Sequence, residues 1–180
     1  LIEVVHHACQ AGAYDEASDI FWERVLQSTR KVLVHQLGAY ETELNLSSEF
    51  FPSNDLAEEP NGSNRNFKPF LINEVGFCLM SLGRPREAVP FYERSTKIAL
   101  EMRDWSNASV TYQNLAELHA QLGALDKSAE AARQALDLAR KADEKFQISQ
   151  SFSYQGWTFH LQGNSQLASS VFQQAEKVEP

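Results

Sequence analysis

The stretch "SLGRPREAVPFYERS", residues 81–95, returns forty residues later as "QLGALDKSAEAARQA", residues 121–135. It returns once more, after another forty, as "LQGNSQLASSVFQQA", residues 161–175. Gly83, Gly123 and Gly163 anchor the register. Seven positions before each anchor stand Gly76, Ala116 and Gly156, and five after stand Ala88, Ser128 and Ala168. Small residues at these offsets let two helices approach closely, as a tight antiparallel hairpin requires. Larger residues recur elsewhere: Ile72, Tyr112 and Phe152 eleven before; Leu79, His119 and Phe159 four before; Tyr92, Ala132 and Phe172 nine after. The anchor glycine ends the first helix of each pair, since glycine accepts the left-handed conformation of a helix C-terminus. Charged residues change from copy to copy because they face water.

A fourth copy fits near the start. Gly12 has Val5 before it, and Ala17 and Phe21 after it, at the same offsets. Gly38, in "QLGAYETELNLSSEFF", starts the same phrase, but Glu43 stands where the small residue belongs. That copy reads as degenerate yet helical. Residues 1–51 thus form an N-terminal helical block with one divergent pair and one degenerate pair. "FPSNDLAEEPNGSNRNFKP", residues 51–69, is polar and holds three prolines, so 52–69 reads as a loop. A disordered linker is the favoured reading, with a loop laid across a groove as the alternative and Phe67 and Phe70 as docking anchors. Three regular pairs follow, at 70–104, 105–144 and 145–180. Their helices are expected at about 70–82, 86–102, 106–122, 126–142, 146–162 and 165–178, with Asp104, Asn107 and Asp126 at N-terminal positions.

These residues resemble the tetratricopeptide repeat. "INEVGFCLMSLGRPREAVPFYERS" carries most of its pattern, and "FSYQGWTFHLQGNSQLASSVFQQAEKVEP" closes on Pro180 where the family's proline falls. The period is about forty residues rather than 34, a difference that helices of about 16 residues would absorb. The resemblance implies an all-α solenoid of helical hairpins, a right-handed superhelix with the first helices on its concave face. More narrowly, the segments from Phe70 onward resemble the C-terminal repeat region of bacterial signal-transduction ATPases with NACHT or NB-ARC modules. That resemblance implies a sensor or regulatory array beside a nucleotide switch. No G-x-x-x-x-G-K-[ST] occurs, so the switch itself lies outside these residues. The chain opens at Leu1 inside an apolar pattern and reads as a fragment of a longer parent.

Composition narrows the function classes. The net charge is −8, and the densest basic stretch (Arg84, Arg86, Arg94, Lys97, Arg103) interleaves with Glu87, Glu93 and Glu101. Nucleic-acid binding needs concentrated Lys and Arg, so this reads as a solvated helix face. No apolar run reaches the roughly 18 residues of a membrane span, and no signal-peptide pattern is present. Cys9 and Cys78 form no CxxC and read as buried thiols of a reducing compartment, which places the protein in the cytoplasm. The pattern Asn-x-Ser/Thr at Asn45, Asn61 and Asn107 carries no weight outside a secretory context. His6 and His7 are adjacent, so their rings face different ways instead of sharing a metal. His119 sits at a core offset. With no nucleophile elbow, HExxH or phosphate loop, the chain reads as a non-enzyme without metal or cofactor.

The resemblance also implies where a partner docks: first-helix residues ten, six and three before each anchor glycine. These are Asn73, Phe77 and Met80, then Gln113, Glu117 and Ala120, then Ser153, Trp157 and His160. Only Asn73 suits a carboxylate clamp, so a peptide or protein with apolar anchors is the expected occupant, fitting Phe77, Met80 and Trp157. The competing reading packs these aromatics against the loop, a terminal helix or the next repeat. The leading function is a protein-interaction module contacting a protein, a peptide or other domains of the parent chain. A structural scaffold that self-associates and a small-ligand sensor are the alternatives.

Overall fold

The computed structural model describes residues 1–178, so Pro180, the expected closing proline, lies outside the described residues. Among the described residues the chain is all-α, built from successive helical hairpins with no strand. It divides into two compact units, residues 1–84 and residues 85 onward.

The first unit holds α1 (Ile2–Gln10), α2 (Tyr14–Ile20), α3 (Tyr40–Ser48) and α4 (Phe67–Ser81). The expected hairpin at Gly12 is present: Gly12 turns at φ +76°, and Val5, Ala17 and Phe21 are fully buried at their offsets. Beyond α2 the chain leaves the regular pattern. A π-helical turn at Phe21–Val25, a 3-10 turn at Ser28–Arg30 and a second π-helical turn at Val32–Gln36 precede Gly38. Gln27, Ser28 and Lys31 all take positive φ in this segment, a conformation that costs any residue with a Cβ. The core here is aromatic. Phe21, Phe50 and Phe67 form a triangle with ring centroids 5.2–6.2 Å apart, extended through Phe70 to Trp22 at 4.9 Å.

The segment 52–66 departs from the linker reading. The Asn61 amide donates to the Phe50 carbonyl at 2.7 Å, and Phe50, Phe51 and Pro60 are buried. The Ser63 amide and hydroxyl both donate to the Asp15 carboxylate, at 2.7 and 2.6 Å. Asp15, in the first turn of α2, is thereby a fastener that ties the loop down near Gly62. α4 then starts at Phe67, three residues before the expected position, because Phe67 belongs to the core and Asn64 Oδ1 accepts from its amide. The two Ser63 hydrogen bonds, hydroxyl first, hold the Asp15 carboxyl below its usual value of 3.8. A depressed carboxylate stabilises above its unfolded value and loses that contribution as pH falls through the folded one. Asp15→Asn is therefore expected to accelerate amide exchange at Ser63 at neutral pH. Unchanged exchange would remove the fastener from the account.

The second unit holds α5 (Pro85–Glu101), α6 (Trp105–Gln121), α7 (Leu125–Ala142), α8 (Lys145–Leu161) and α9 (Ser165–Lys177), all within about a residue of expectation. Each helix packs on the next, and α6 also packs on α8. Asp104 caps α6 by accepting from the Asn107 amide at 3.0 Å, and Asn164 caps α9 by accepting from Leu167. Gly123 and Gly163 turn the corners at φ +73° and +79°. The forty-residue register reappears as hydrogen bonds: Ser109 donates to the Ala135 carbonyl, and Ser149 donates to the Ala175 carbonyl. Ala116, Ser128, Gly156 and Ala168 are all buried in the helix contacts. Ser128 does more than fill space, since its hydroxyl lies 2.8 Å from that of Thr158, joining α7 to α8.

Candidate functional site

α6 and α8 lie side by side and carry six of the nine positions assigned to a partner. Gln113 is 2% exposed, and its amide donates to the Gln147 carbonyl at 3.1 Å and the Ser151 hydroxyl at 2.9 Å. It ties α6 to α8 and has no face left for a ligand. This corrects its assignment to the binding surface. A buried primary amide needs partners, and the adjacent helix supplies them. One turn on, Glu117 is half-buried and accepts from the Tyr154 hydroxyl at 3.3 Å. Tyr154 stacks edge-on with Trp157 at 6.5 Å, and Trp157 is half-buried. Ser153 and His160 are exposed, the Ser153 hydroxyl donating back to the Ser149 carbonyl, and Ala120 is half-buried. What remains accessible is a compact patch of Glu117, Tyr154, Trp157, Ser153 and His160.

Tyr154 was not among the expected residues, and it organises the patch. Burial first, then the neighbouring Glu117 carboxylate, pushes its hydroxyl up to about 12. The phenol therefore stays protonated as a donor to Glu117, with its ring set against the Trp157 indole. Nine before the anchor glycine lies outside the family's ligand-facing offsets, so the pattern gave no reason to select it.

The three α4 positions belong to the first unit and behave differently. Asn73 and Met80 are buried, at 7% and 5% exposure. Phe77 is half-buried, with its ring 6.0 Å from that of His35 and 6.1 Å from that of Tyr40. Phe77 thus packs on His35 and Tyr40 rather than on the loop, a terminal helix or the next repeat. The cause is the irregular segment before α3, which brings His35 and Tyr40 over the face that a regular hairpin would leave open. Asn73 donates to Glu74 at 3.2 Å, part of a buried polar group described below.

The remaining candidates for chemistry are structural. Cys9 and Cys78 are free, buried thiols; burial, then Glu49, pushes Cys9 up to about 12, far from the thiolate that reactivity needs. His6 and His7 meet separate partners, Glu49 at 3.1 Å and Glu3 at 3.9 Å. Among the described residues no group of three or more His, Cys, Asp or Glu side chains could hold a metal ion. His119 lines a cleft of about 500 Å³ between α5 and α6 with Thr96, Leu100, Tyr112 and Leu115. Burial, then Lys127, lowers its pKa, which favours the neutral ring of a half-buried packing histidine. Among the described residues no helix is long and apolar enough to cross a membrane.

Residues 70–141 match the family model of the tetratricopeptide repeat. No curated protein matches the chain. Among solved structures, the chain is similar to that titled "Crystal structure of BtubC (BKLC) from P. vanneervenii". That likeness spans 98% of this chain and 86% of the other, at 13% identity and a TM-score of 0.49.

Proposed function

We propose that this chain, a tetratricopeptide-repeat protein over residues 70–141, is a non-catalytic protein-interaction module. Tetratricopeptide repeats generally mediate contacts between proteins, and the accessible patch on α6 and α8 suits that role. The observation that carries the reading is the half-buried Trp157, set edge-on to Tyr154, whose hydroxyl donates to Glu117. Half-exposed Trp and Tyr beside a fixed acceptor are the residue types that anchor partners most strongly. The occupant is a peptide or protein segment with an apolar anchor and a donor for Glu117. The finer role is that of sensor or regulatory array in a larger cytoplasmic bacterial signalling ATPase, contacting either a partner or other domains of the parent. Support for that role is the resemblance of the repeats from Phe70 onward.

Crosslinking and capture with Trp157→Ala test the patch. Capture is expected to drop at least tenfold while the circular-dichroism melt is retained, and undiminished capture by the folded variant sinks the assignment. Phe77→Ala is the contrast, expected to lower stability without touching capture specifically.

The scaffold reading has its own observation. Phe172 is 38% exposed, whereas Tyr92 and Ala132, its counterparts in the two preceding copies, are fully buried. With Leu161 and Leu167 it leaves an apolar edge at the α8–α9 hairpin. Concentration-dependent dimerisation in light scattering, lost in Phe172→Ser, would favour self-association; a monomer at all concentrations disfavours it.

A further inference from the structure

We propose that Lys31, Glu43 and Glu74 form a proton-dependent clasp that holds α3 against α4, closed while the two carboxyls share one proton and opened by its loss. Glu43 lies in the middle of α3 and Glu74 in the middle of α4, two helices in direct contact, and both side chains are fully buried. Lys31 Nζ stands 2.6 Å from Glu74 Oε1, and Asn73 Nδ2 donates to the same oxygen at 3.2 Å. Among the described residues, Glu74 Oε2 and both Glu43 oxygens have no donor. With both acids ionised, the site would hold two negative charges against one lysine and three buried oxygens without hydrogen bonds. Either defect is costly in a dry interior. One proton removes both: a protonated carboxyl is a donor, and its O–H can serve the other carboxylate. The proton exchanges with water, and no other reactant is needed.

The other groups around the site do not supply the missing positive charge. Cys78, on α4, is raised by burial, then by Glu43 and Glu74, so it stays a neutral thiol. From α1, His6 and Cys9 face Glu49 at the far end of α3, not Glu43. From the second π-helical turn, His35 is exposed and packs on Phe77. Burial first, and the Glu74 carboxylate second, raise the Glu43 carboxyl to about 8, with Lys31 opposing. This places the opening of the clasp in the mildly alkaline range.

The backbone favours release once repulsion between the two carboxylates separates α3 from α4. Lys31 sits at φ 40°, ψ 56°, following Gln27 and Ser28 in the same left-handed region. Such residues persist only where the surroundings hold them, and here the ion pair with a buried carboxylate is the anchor. Lys31 Nζ also lies 5.2 Å from the centre of the Phe70 ring, which meets Trp22 edge-on, so a departing Lys31 changes the surroundings of Trp22. Glu43 occupies the register position that Ala88, Ser128 and Ala168 fill in the regular hairpins. A charged group replaces a small one at a helix contact, and the contact inherits a titration.

The test uses the full chain carrying Trp105→Phe and Trp157→Phe, leaving Trp22 as the only indole. A carboxyl raised from 4.5 to about 8 binds its proton more tightly in the folded state. Its stabilisation is complete below the unfolded value and lost as pH rises toward the folded one. The unfolding constant is therefore expected to rise by up to about tenfold per pH unit between about 5 and 8, then level off. Trp22 emission should step near pH 8, with α3 amides exchanging faster than hydroxide catalysis alone accounts for. Glu43→Gln supplies a donor without a charge, so it should abolish the emission step and flatten the slope relative to its parent. Lys31→Met should carry the rise in the unfolding constant to higher pH, and it keeps the proposal testable if Glu43→Gln fails to fold. A pH-independent Trp22 in the parent, a step retained in Glu43→Gln, or an unfolding profile unmoved in Lys31→Met overturns the clasp.

Discussion

The Phe21→Ala chain is expected to lose about 3–5 kcal/mol of unfolding free energy, the usual cost of a cavity left by a buried phenylalanine. Phe21 is fully buried, and its ring meets Phe50 at 5.8 Å and Phe67 at 6.2 Å. The three rings come from three separate segments: Phe21 from the first π-helical turn, Phe50 from the stretch after α3, and Phe67 from the start of α4. Closing the cavity would require all three to move together, and the Asn61–Phe50 hydrogen bond resists that movement. The loss should therefore fall in the upper part of the range. Urea titration in the Trp105→Phe, Trp157→Phe background, followed at Trp22, measures it. Phe146→Ala, at an exposed position, is the control and should stay within about 0.5 kcal/mol. A loss under about 1 kcal/mol at Phe21 would mean that the aromatic triangle does not hold the first unit together.

The second large effect is expected at Gly156. A Cβ there would stand 2.8 Å from Phe172 Cδ1 and Cε1 and 3.0 Å from Cζ. Two terms oppose each other in Gly156→Ala. Helix propensity returns up to about 1 kcal/mol, because glycine is poor inside a helix. Overpacking costs about 1–3 kcal/mol. The net should be a loss near 1 kcal/mol for alanine and about 3 kcal/mol for Gly156→Leu, whose extra carbons have nowhere to go between α8 and α9. Phe172→Ala in the same chain should restore most of it, giving a double-mutant coupling of about 1–2 kcal/mol. A Gly156→Leu chain as stable as its parent would show that the Phe172 ring, already 38% exposed, swings aside without cost.

Gly156 and Phe172 were legible in the sequence as a small residue seven before the anchor and a large one nine after. The structure places them in contact. Close helix approach is a local steric demand, so it leaves its mark on residue size at fixed spacing. The helix boundaries of the second unit were legible for a related reason, since φ at the corners and the Asp104 cap are set within a few residues. The site was less legible. Offsets from the anchor glycine pick out Glu117, Ser153, Trp157 and His160, which the structure leaves accessible, but also Gln113, whose amide α8 consumes. They also placed Phe77 in an open groove that His35 and Tyr40 cover.

The sequence by itself determined the hairpin register, the small positions of close approach and the corners, because each is a contest settled between near neighbours. Only the tertiary structure decided what lies on the N-terminal unit. Asp15 meets Ser63 across 48 residues, and Lys31 meets Glu74 across 43. No periodicity records such pairings. Glu43 marks the boundary between the two kinds of information. Its presence at a small-residue position signalled that something differed there. That the difference is a buried acid facing another acid depended on which helix the fold set against it.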